Sequence, residues 1–465
     1  MRFVFINPNR AIDEGNIWNV VNSLTPPMGL ACLSSVLEEK GFEADIIDAA
    51  ALGLGFDEIV SSIKGHVDYI GISSTTVEIE HAVELAGGLR RAFPEALILM
   101  GGVHPTIFHE SLVSEDVCDM VIRGEGEEAI VELAQDRKLE EVPNLTWKSP
   151  AGEVIVNAHS DRYVDLEQLP IPSYNKLPMD RYHSALGAAK KNPSVGMITS
   201  RGCPGTCTFC YSGMHGKRIR MQSAGKVFDQ ILFLKKNYGI REISFYDDTF
   251  TTNKKRVERL CDLLLQNKTN ISWSCFARAD TVNPGLLKKM KQAGCHQVGY
   301  GFESADEEVL KAINKRVKTR QIDDAVAWTR AAGIDVRGAF MLGNPGETEE
   351  SMRRTIEYSK QLGIQFAIYN ITTPFPGTAL YDWSMEQGIV MHRKWVSYDL
   401  SHSVLKLPTV GPDTVEQYYS TAYREFYMRP GYIIKRILSL RSGYELKTHM
   451  MAFLGMVIGG LIRKK

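Results

Sequence analysis

The tightest constraint on this chain is an alternation of short apolar strands with helices that runs twice and is interrupted once. Strand patterns fall at 2–7, 44–48, 69–73, 97–100 and 120–122, with helical patterns at 30–37, 56–64, 79–92 and 126–135. Short connections between alternating elements predict a parallel sheet covered by helices on both faces, with ligands at the carboxyl ends of the strands. From 141 to 190 the pattern lapses into a small hairpin near 154–156 and a proline-rich crossing segment, 169–174. It resumes with strands at 195–199, 242–246, 271–275, 297–300, 336–341 and 365–369. The intervening helices lie at 224–238, 253–267, 284–293, 319–332 and 348–362. Six such units make most of a barrel, whose chemistry sits at the strands' carboxyl ends. The expected architecture is α/β: a doubly wound parallel sheet (1–140), a linker (141–190), a partial (β/α)6 barrel (191–385) and a helical tail (386–465).

The second run opens on a loop that carries three cysteines, Cys203, Cys207 and Cys210, spaced C-x3-C-x2-C. A structural zinc site wants four ligands, and so does a closed iron–sulfur cubane. Three thiolates leave one iron of a cubane open to bind something else. A zinc site completed by a remote histidine, or three unrelated cysteines, is the competing reading. Gly202, Pro204 and Gly205 permit the tight path that turns three sulfurs inward, and Phe209 can shield a cluster from water. The other five cysteines, Cys32, Cys118, Cys261, Cys275 and Cys295, sit in apolar patterns and read as small core residues. A 465-residue chain with eight cysteines is no secreted disulfide framework. A net charge of −1 gives no overall field for nucleic acid. The first residues run straight into a strand without a secretory pattern, so a cytoplasmic location is expected.

The cysteine loop and its surroundings resemble the radical SAM superfamily. That resemblance implies a [4Fe-4S] cluster that reductively cleaves S-adenosylmethionine to a 5′-deoxyadenosyl radical. The strand-end strings of the first run, Ser73 to Thr76, Gly101-Gly-Val-His104-Pro and Arg123-Gly-Glu-Gly126, resemble the cobalamin-binding domain that precedes many such barrels. It implies cobalamin contacts at Ser74, Thr75, Gly101, Gly102, His104, Gly124 and Gly126. An Asp-x-His-x-x-Gly element is absent. This fits a cobalt without a protein histidine, or a domain that binds no corrinoid. His104 is either a corrin neighbour or a loop histidine bonded to backbone. In the barrel, S-adenosylmethionine needs an acceptor for its amine, met by Asp247 or Asp248, and a cation for its carboxylate, met by Arg278. The resemblance gives the ribose diol to Glu303 and the adenine to the backbone near Gly343. Asp247-Asp248-Thr249 can equally start a helix.

Three functions compete: radical methyl transfer to an unactivated carbon, oxidative cyclisation or rearrangement as in Mg-protoporphyrin monomethyl ester cyclase, and a non-catalytic cluster and corrinoid module. The family also implies a small-molecule substrate and an electron donor of the flavodoxin or ferredoxin class. The tail adds one hint. From Arg429 to Lys465 it carries eight Lys and Arg against one acid, and the apolar run 450–462 is 13 residues long. That is short of the roughly 20 a spanning helix needs. A basic segment with an apolar end can lie on an anionic membrane face, favouring an apolar substrate. A closing helix or a dimer contact is the alternative.

Overall fold

The computed structural model describes residues 1–9, 23–160, 163–185, 188–391 and 394–439. The apolar run 450–462 and the basic end of the tail lie outside the described residues. The chain divides into two compact units. One is built mainly on Pro26–Tyr182 and takes back Tyr211–Arg220 from beyond the cysteine loop. The other is built on His183–Cys210 and resumes at Met221.

The first unit is a seven-stranded sheet. Its strands are β1 (Arg2–Asn7), β2 (Glu43–Asp48), β3 (Tyr69–Ser73), β4 (Leu97–Gly101), β5 (Met120–Ile122), β6 (Leu145–Lys148) and β7 (Val154–Val156). The order is β2-β1-β3-β4-β5-β6-β7, parallel through β5 and antiparallel thereafter. The expected hairpin near 154–156 is therefore an extension of this sheet. Four central residues of β1 are fully buried, which is why it reads as a continuous apolar run. Phe3 stacks on Tyr69 at 4.7 Å across the sheet, in one core with Leu37, Leu99, Ile130 and Trp147. Strand order reverses between β1 and β3, so a ligand of this sheet belongs beyond the carboxyl ends of β1, β3 and β4.

The second unit holds six parallel strands in chain order. They are β8 (Ser194–Met197), β9 (Glu242–Phe245), β10 (Ser272–Ala277), β11 (Cys295–Glu303), β12 (Asp335–Leu342) and β13 (Phe366–Ile371). The order is linear, so the sheet is a partial barrel with two edges. Its helices are capped by their own sequence. Ser223 accepts from Lys226 N and Gly239 takes the left-handed position at the end of Ala224–Tyr238. Asn283 and Thr348 cap the helices Pro284–Gln292 and Glu349–Gln361. Cys261, Cys275 and Cys295 are buried in this unit, and Cys118 is buried in the first. Burial pushes the Cys118 and Cys261 thiols up to about 12, so they stay protonated and inert.

The tail begins as an edge cover for β13. The helix Pro412–Tyr427 and the start of Pro430–Ser439 set three tyrosines over alternate residues of that strand region. Tyr423 donates to Tyr369 O at 3.1 Å, Tyr427 to Ala367 O at 2.7 Å and Tyr432 to Gln365 O at 2.9 Å. Two of the phenols also accept from the strand, from Tyr369 N and Ala367 N. A strand edge that would otherwise template pairing is thus satisfied by side chains. Tyr427→Phe strips two buried main-chain groups of their partner. It is expected to cost about 1–3 kcal/mol in denaturant unfolding; an unchanged midpoint contradicts this role.

Candidate active site

The site begins where β8 ends. Asp247, just past β9, is buried, and its carboxylate accepts from Thr199 N at 3.1 Å, from Thr199 Oγ1 at 2.9 Å and from Ser200 Oγ. Arg256 reaches the same point, donating to Thr199 O at 3.2 Å and to Gln222 O at 2.7 Å. Burial pushes the Asp247 carboxyl up, against the pull of the Ser200 bond and the Arg256 charge. This network fixes the point from which the cysteine loop departs.

The loop folds around Gly205. A Cβ there would lie 3.3 Å from Cys203 Sγ, 4.0 Å from Cys207 Sγ and 3.9 Å from Arg278 Nη1. Thr208 N donates to Ile313 O at 3.0 Å, Leu380 N to Thr208 O at 2.8 Å, and Asn314 Nδ2 to Thr206 O at 2.9 Å. The loop is thus held from two sides, by the turn at Ile313–Asn314 and by the helix Ala379–Glu386. Phe209, between the last two cysteines, is half-buried. Cys210 is the most accessible of the three. Even so, the protein atoms crowding its sulfur, and then Asp248, push its thiol up to about 11. Among the described residues no three His, Cys, Asp or Glu side chains are placed to hold a single metal ion. The donor set still fits a four-iron cluster, which takes one thiolate per iron and so holds the sulfurs apart. Arg278 and Lys315 supply positive charge close by.

Beside the loop a cavity of about 340 Å³ opens inside the barrel, lined among others by Tyr246, Asp248, Arg278, Glu303, Lys315 and Arg337. It brings together Asp247, Asp248, Arg278 and Glu303, four of the residues singled out from sequence. The two aspartates part company there. Asp247 is used up by the end of β8, whereas Asp248 is exposed and its carboxylate has no partner among the described residues. Arg278 is half-buried and already forked onto Asp280, at 3.0 Å for both bonds, with Lys315 O at 3.1 Å. Burial opposes its charge, but Asp280 and then Cys207 and Cys203 hold its pKa above the usual value.

Glu303 ends β11 at φ +67, beyond a bulge that begins at Gly301. A glutamate in the left-handed region is strained, and such strain gathers at functional sites. Its Oε1 accepts from Lys315 Nζ at 2.7 Å, both groups being buried. Burial works against the Lys315 ammonium, yet Glu303 and then Cys207 keep its pKa raised. Sequence reasoning missed Lys315. Its one signal was an Asn-Lys-Arg run just after a helix, in the loop that follows the Glu303 strand.

Gly343 follows β12 at φ +81, and a Cβ there would meet Val415 Cγ1 at 2.9 Å. Beyond it Glu347 accepts from Asn344 N at 2.8 Å, and Thr372 Oγ1 bonds Asn344 Oδ1 at 2.9 Å. Burial pushes the Glu347 carboxyl up to about 7. Three tyrosines lie at or near strand ends: Tyr300 and Tyr369 bond Thr329 and Ser359 on the covering helices, and Tyr246 and Tyr300 both line the cavity.

In the first unit, β3, β4 and β5 deliver the other candidates side by side. Gly102, at φ +99, presses against Ser74: a Cβ would lie 2.5 Å from Ser74 O. Ser74 N donates to Gly101 O at 3.0 Å. Thr75 is exposed and caps its turn through Glu78 at 2.8 Å. Gly124, at φ +72, is held by Thr106 Oγ1 at 2.9 Å, and Gly126 caps the helix Glu127–Ala134. Gly101, Gly102, Gly124 and Gly126 are all partly exposed, which fits a flat ligand laid against main chain. The Gly-Gly-Val-His-Pro string starts a helix, Val103–Ile107. His104 is 4% exposed, its ring tilted against Phe108 at 4.5 Å, with Nδ1 3.3 Å from Thr76 Oγ1. Burial lowers its pKa to about 4, so the ring is neutral.

The same two units appear in known proteins. The Radical SAM superfamily matches residues 197–359 and the B12 binding domain matches 17–134. An uncharacterised methyltransferase of Pyrococcus horikoshii is 36% identical over 93% of this chain and 94% of its own. The chain belongs to the radical SAM superfamily, in its cobalamin-binding branch. The anaerobic magnesium-protoporphyrin IX monomethyl ester cyclase of Cereibacter sphaeroides is 24% identical, covering 92% of this chain and 71% of its own. The cobalamin-dependent S-adenosylmethionine radical enzyme OxsB, solved with aqua-cobalamin, shares the fold at a TM-score of 0.75 and 18% identity. It covers 99% of this chain and 72% of its own. The chain is therefore a radical SAM enzyme, and its cofactors are a [4Fe-4S] cluster, S-adenosylmethionine and cobalamin.

The buried ion pair gives a stability test. Lys315→Met leaves the Glu303 carboxylate buried and alone, and is expected to cost about 3–5 kcal/mol. Adding Glu303→Gln should restore much of that, because no bare charge remains. A double variant no more stable than Lys315→Met would contradict the pairing.

Proposed function

We propose that this enzyme transfers a methyl group to an unactivated carbon of a small, largely apolar substrate. With its cofactors bound, the site supplies reductive cleavage of S-adenosylmethionine to the 5′-deoxyadenosyl radical and a methyl group carried on the corrinoid. The observation that carries the reading is the cavity beside the thiol loop, where free and engaged charges alternate. Cys203, Cys207 and Cys210 hold the cluster and leave one iron open. Asp248, in the cavity lining and without a partner among the described residues, accepts the amine of S-adenosylmethionine. Arg278, steadied by Asp280, takes its carboxylate. Glu303, set by Lys315, accepts the ribose hydroxyls, and the backbone at Gly343 flanks the adenine. Phe276 in the cavity wall, and half-buried Phe209 between the last two cysteines, keep water from the reacting atoms. In the first unit, Ser74, Thr75, Gly101, Gly102, Gly124 and Gly126 contact the corrinoid, while His104, neutral and buried, supports the loop from behind. The likeness to a methyltransferase over nearly the whole chain favours methyl transfer over cyclisation. A low-potential flavodoxin or ferredoxin supplies the electron.

Anaerobic incubation of reconstituted protein with reductant, S-adenosylmethionine and hydroxocobalamin should give both 5′-deoxyadenosine and cobalamin-dependent S-adenosylhomocysteine. Cys207→Ala should abolish the 5′-deoxyadenosine. 5′-Deoxyadenosine alone from the unaltered enzyme would point to cyclisation instead.

A second reading concerns location. No helix among the described residues is long and apolar enough to cross a membrane. The helix Pro430–Ser439 nonetheless exposes Ile434 and Ile437 at 59% and Leu438 at 80%, beside Lys435 and Arg436. We propose that this face rests on an anionic membrane surface. The protein should co-sediment with phosphatidylglycerol vesicles, and Ile434→Asp/Ile437→Asp/Leu438→Asp should release it. Equal binding by that triple variant would contradict the assignment.

A further inference from the structure

The wall of the barrel cavity holds a cation that the reaction as described does not use. Arg337 is the third residue of β12 and lines the cavity. It pairs in register with Gly299 on one side and Phe366 on the other, and Gly299 in turn with Phe276. The next inward level toward the carboxyl ends is Gly301, Ala339 and Ile368. Arg337 therefore sits about 7 Å further from those ends, taking ~3.3 Å per strand residue. The small residues between, Gly299, Gly301 and Ala339, leave the space above it open. Larger ones would not fit: a Cβ at Gly301 would lie 2.4 Å from Glu303 Oε1, and one at Gly299 2.7 Å from the Phe276 ring.

Among the described residues the guanidinium has no anionic partner. Arg337 Nε is shielded from solvent and makes no hydrogen bond among the described residues. Its guanidinium carbon lies 5.7 Å from the centre of the Phe366 ring. Burial works against its charge; among the described residues the groups that favour it are the phenols of Tyr427, Tyr246 and Tyr423, and none is a carboxylate. Of the carboxylates near the cavity, Glu303 is held by Lys315 and Asp280 by Arg278, and Asp248 is not among the groups acting on Arg337. Arg337 is half-buried with its Nε sealed from solvent, and a charge held partly out of water without a partner is destabilising. A ring face offsets only part of that.

The geometry points to Arg337 as the anchor for an oxyanion of the substrate, a carboxylate or a phosphonate-type group, received deep in the cavity among aromatic rings. The inference rests on the reading of this cavity as the substrate site, and it makes that substrate amphiphilic. The apolar body lies among Phe276, Tyr246 and Ile368, and one anionic group reaches the guanidinium. Arg337 then positions the substrate and takes no part in bond making.

The test uses the full chain with its cluster reconstituted, titrated separately with benzoate and phenylphosphonate while thermal unfolding is followed. One or both should raise the melting temperature, and the one that does identifies the class of oxyanion. Arg337→Met should weaken that binding at least tenfold, and should itself melt at or above the unaltered protein, because an unpaired buried charge has been removed. Arg337→Lys should keep part of the response. The inference is overturned if neither anion shifts the unaltered protein, if Arg337→Met responds equally, or if Arg337→Met melts clearly lower. The titration is repeated in Cys207→Ala. An anion response that survives there shows that the anchor stands apart from the radical chemistry, whose failure would appear instead in the nucleoside products.

Discussion

The buried carboxylate of Asp247 is the constraint on which the site depends. It lies just beyond one strand and accepts three hydrogen bonds from the end of the next, at Thr199 and Ser200. Arg256 closes the network from a helix. A desolvated carboxylate is costly unless its lone pairs are met, so the two strand ends cannot drift apart without exposing that cost. The cysteine loop starts three residues later. The position of three thiols is thereby tied to the barrel's hydrogen-bond register rather than left to a glycine-rich loop.

The cavity shows a division between charges that are paired and charges that wait. Glu303 with Lys315, and Arg278 with Asp280, are set before any ligand arrives. Pre-set pairs lose little side-chain freedom when a ligand binds, which is what a pre-organised site requires. Asp248 at the mouth and Arg337 on the inner wall carry opposite charges and have no charged partner among the described residues. Their separation gives the cavity a polarity: a cation is welcome at one end and an anion at the other.

Much of this was legible in the sequence. Periodicity located the strands because the central ones are buried on both faces and read as unbroken apolar runs, as in β1. The cysteine spacing and the polar strings placed the site at the carboxyl ends. Sequence could not say which of two adjacent aspartates would turn inward, since that depends on Thr199 and Ser200, some 48 positions away along the chain. Lys315 was missed because a buried lysine has the same sequence signature as a solvated one. Arg337 stood in plain view inside an apolar strand, Val336-Arg-Gly-Ala-Phe-Met. The alternation that put it inside the barrel was visible; the missing partner was not. The tail read as foreign to both domains, because a helix that satisfies a strand edge through tyrosine phenols leaves no periodic signal of its partner.

The central claim is that three thiols hold a cluster whose fourth iron is free for S-adenosylmethionine. The most direct measurement is the electron paramagnetic resonance spectrum of the anaerobically reduced protein, recorded with and without S-adenosylmethionine. A signal from a reduced four-iron cluster that changes on addition of S-adenosylmethionine, and is lost in the triple Cys203/Cys207/Cys210→Ala variant, is the predicted result. A spectrum indifferent to S-adenosylmethionine, or a cluster retained without those cysteines, would contradict it.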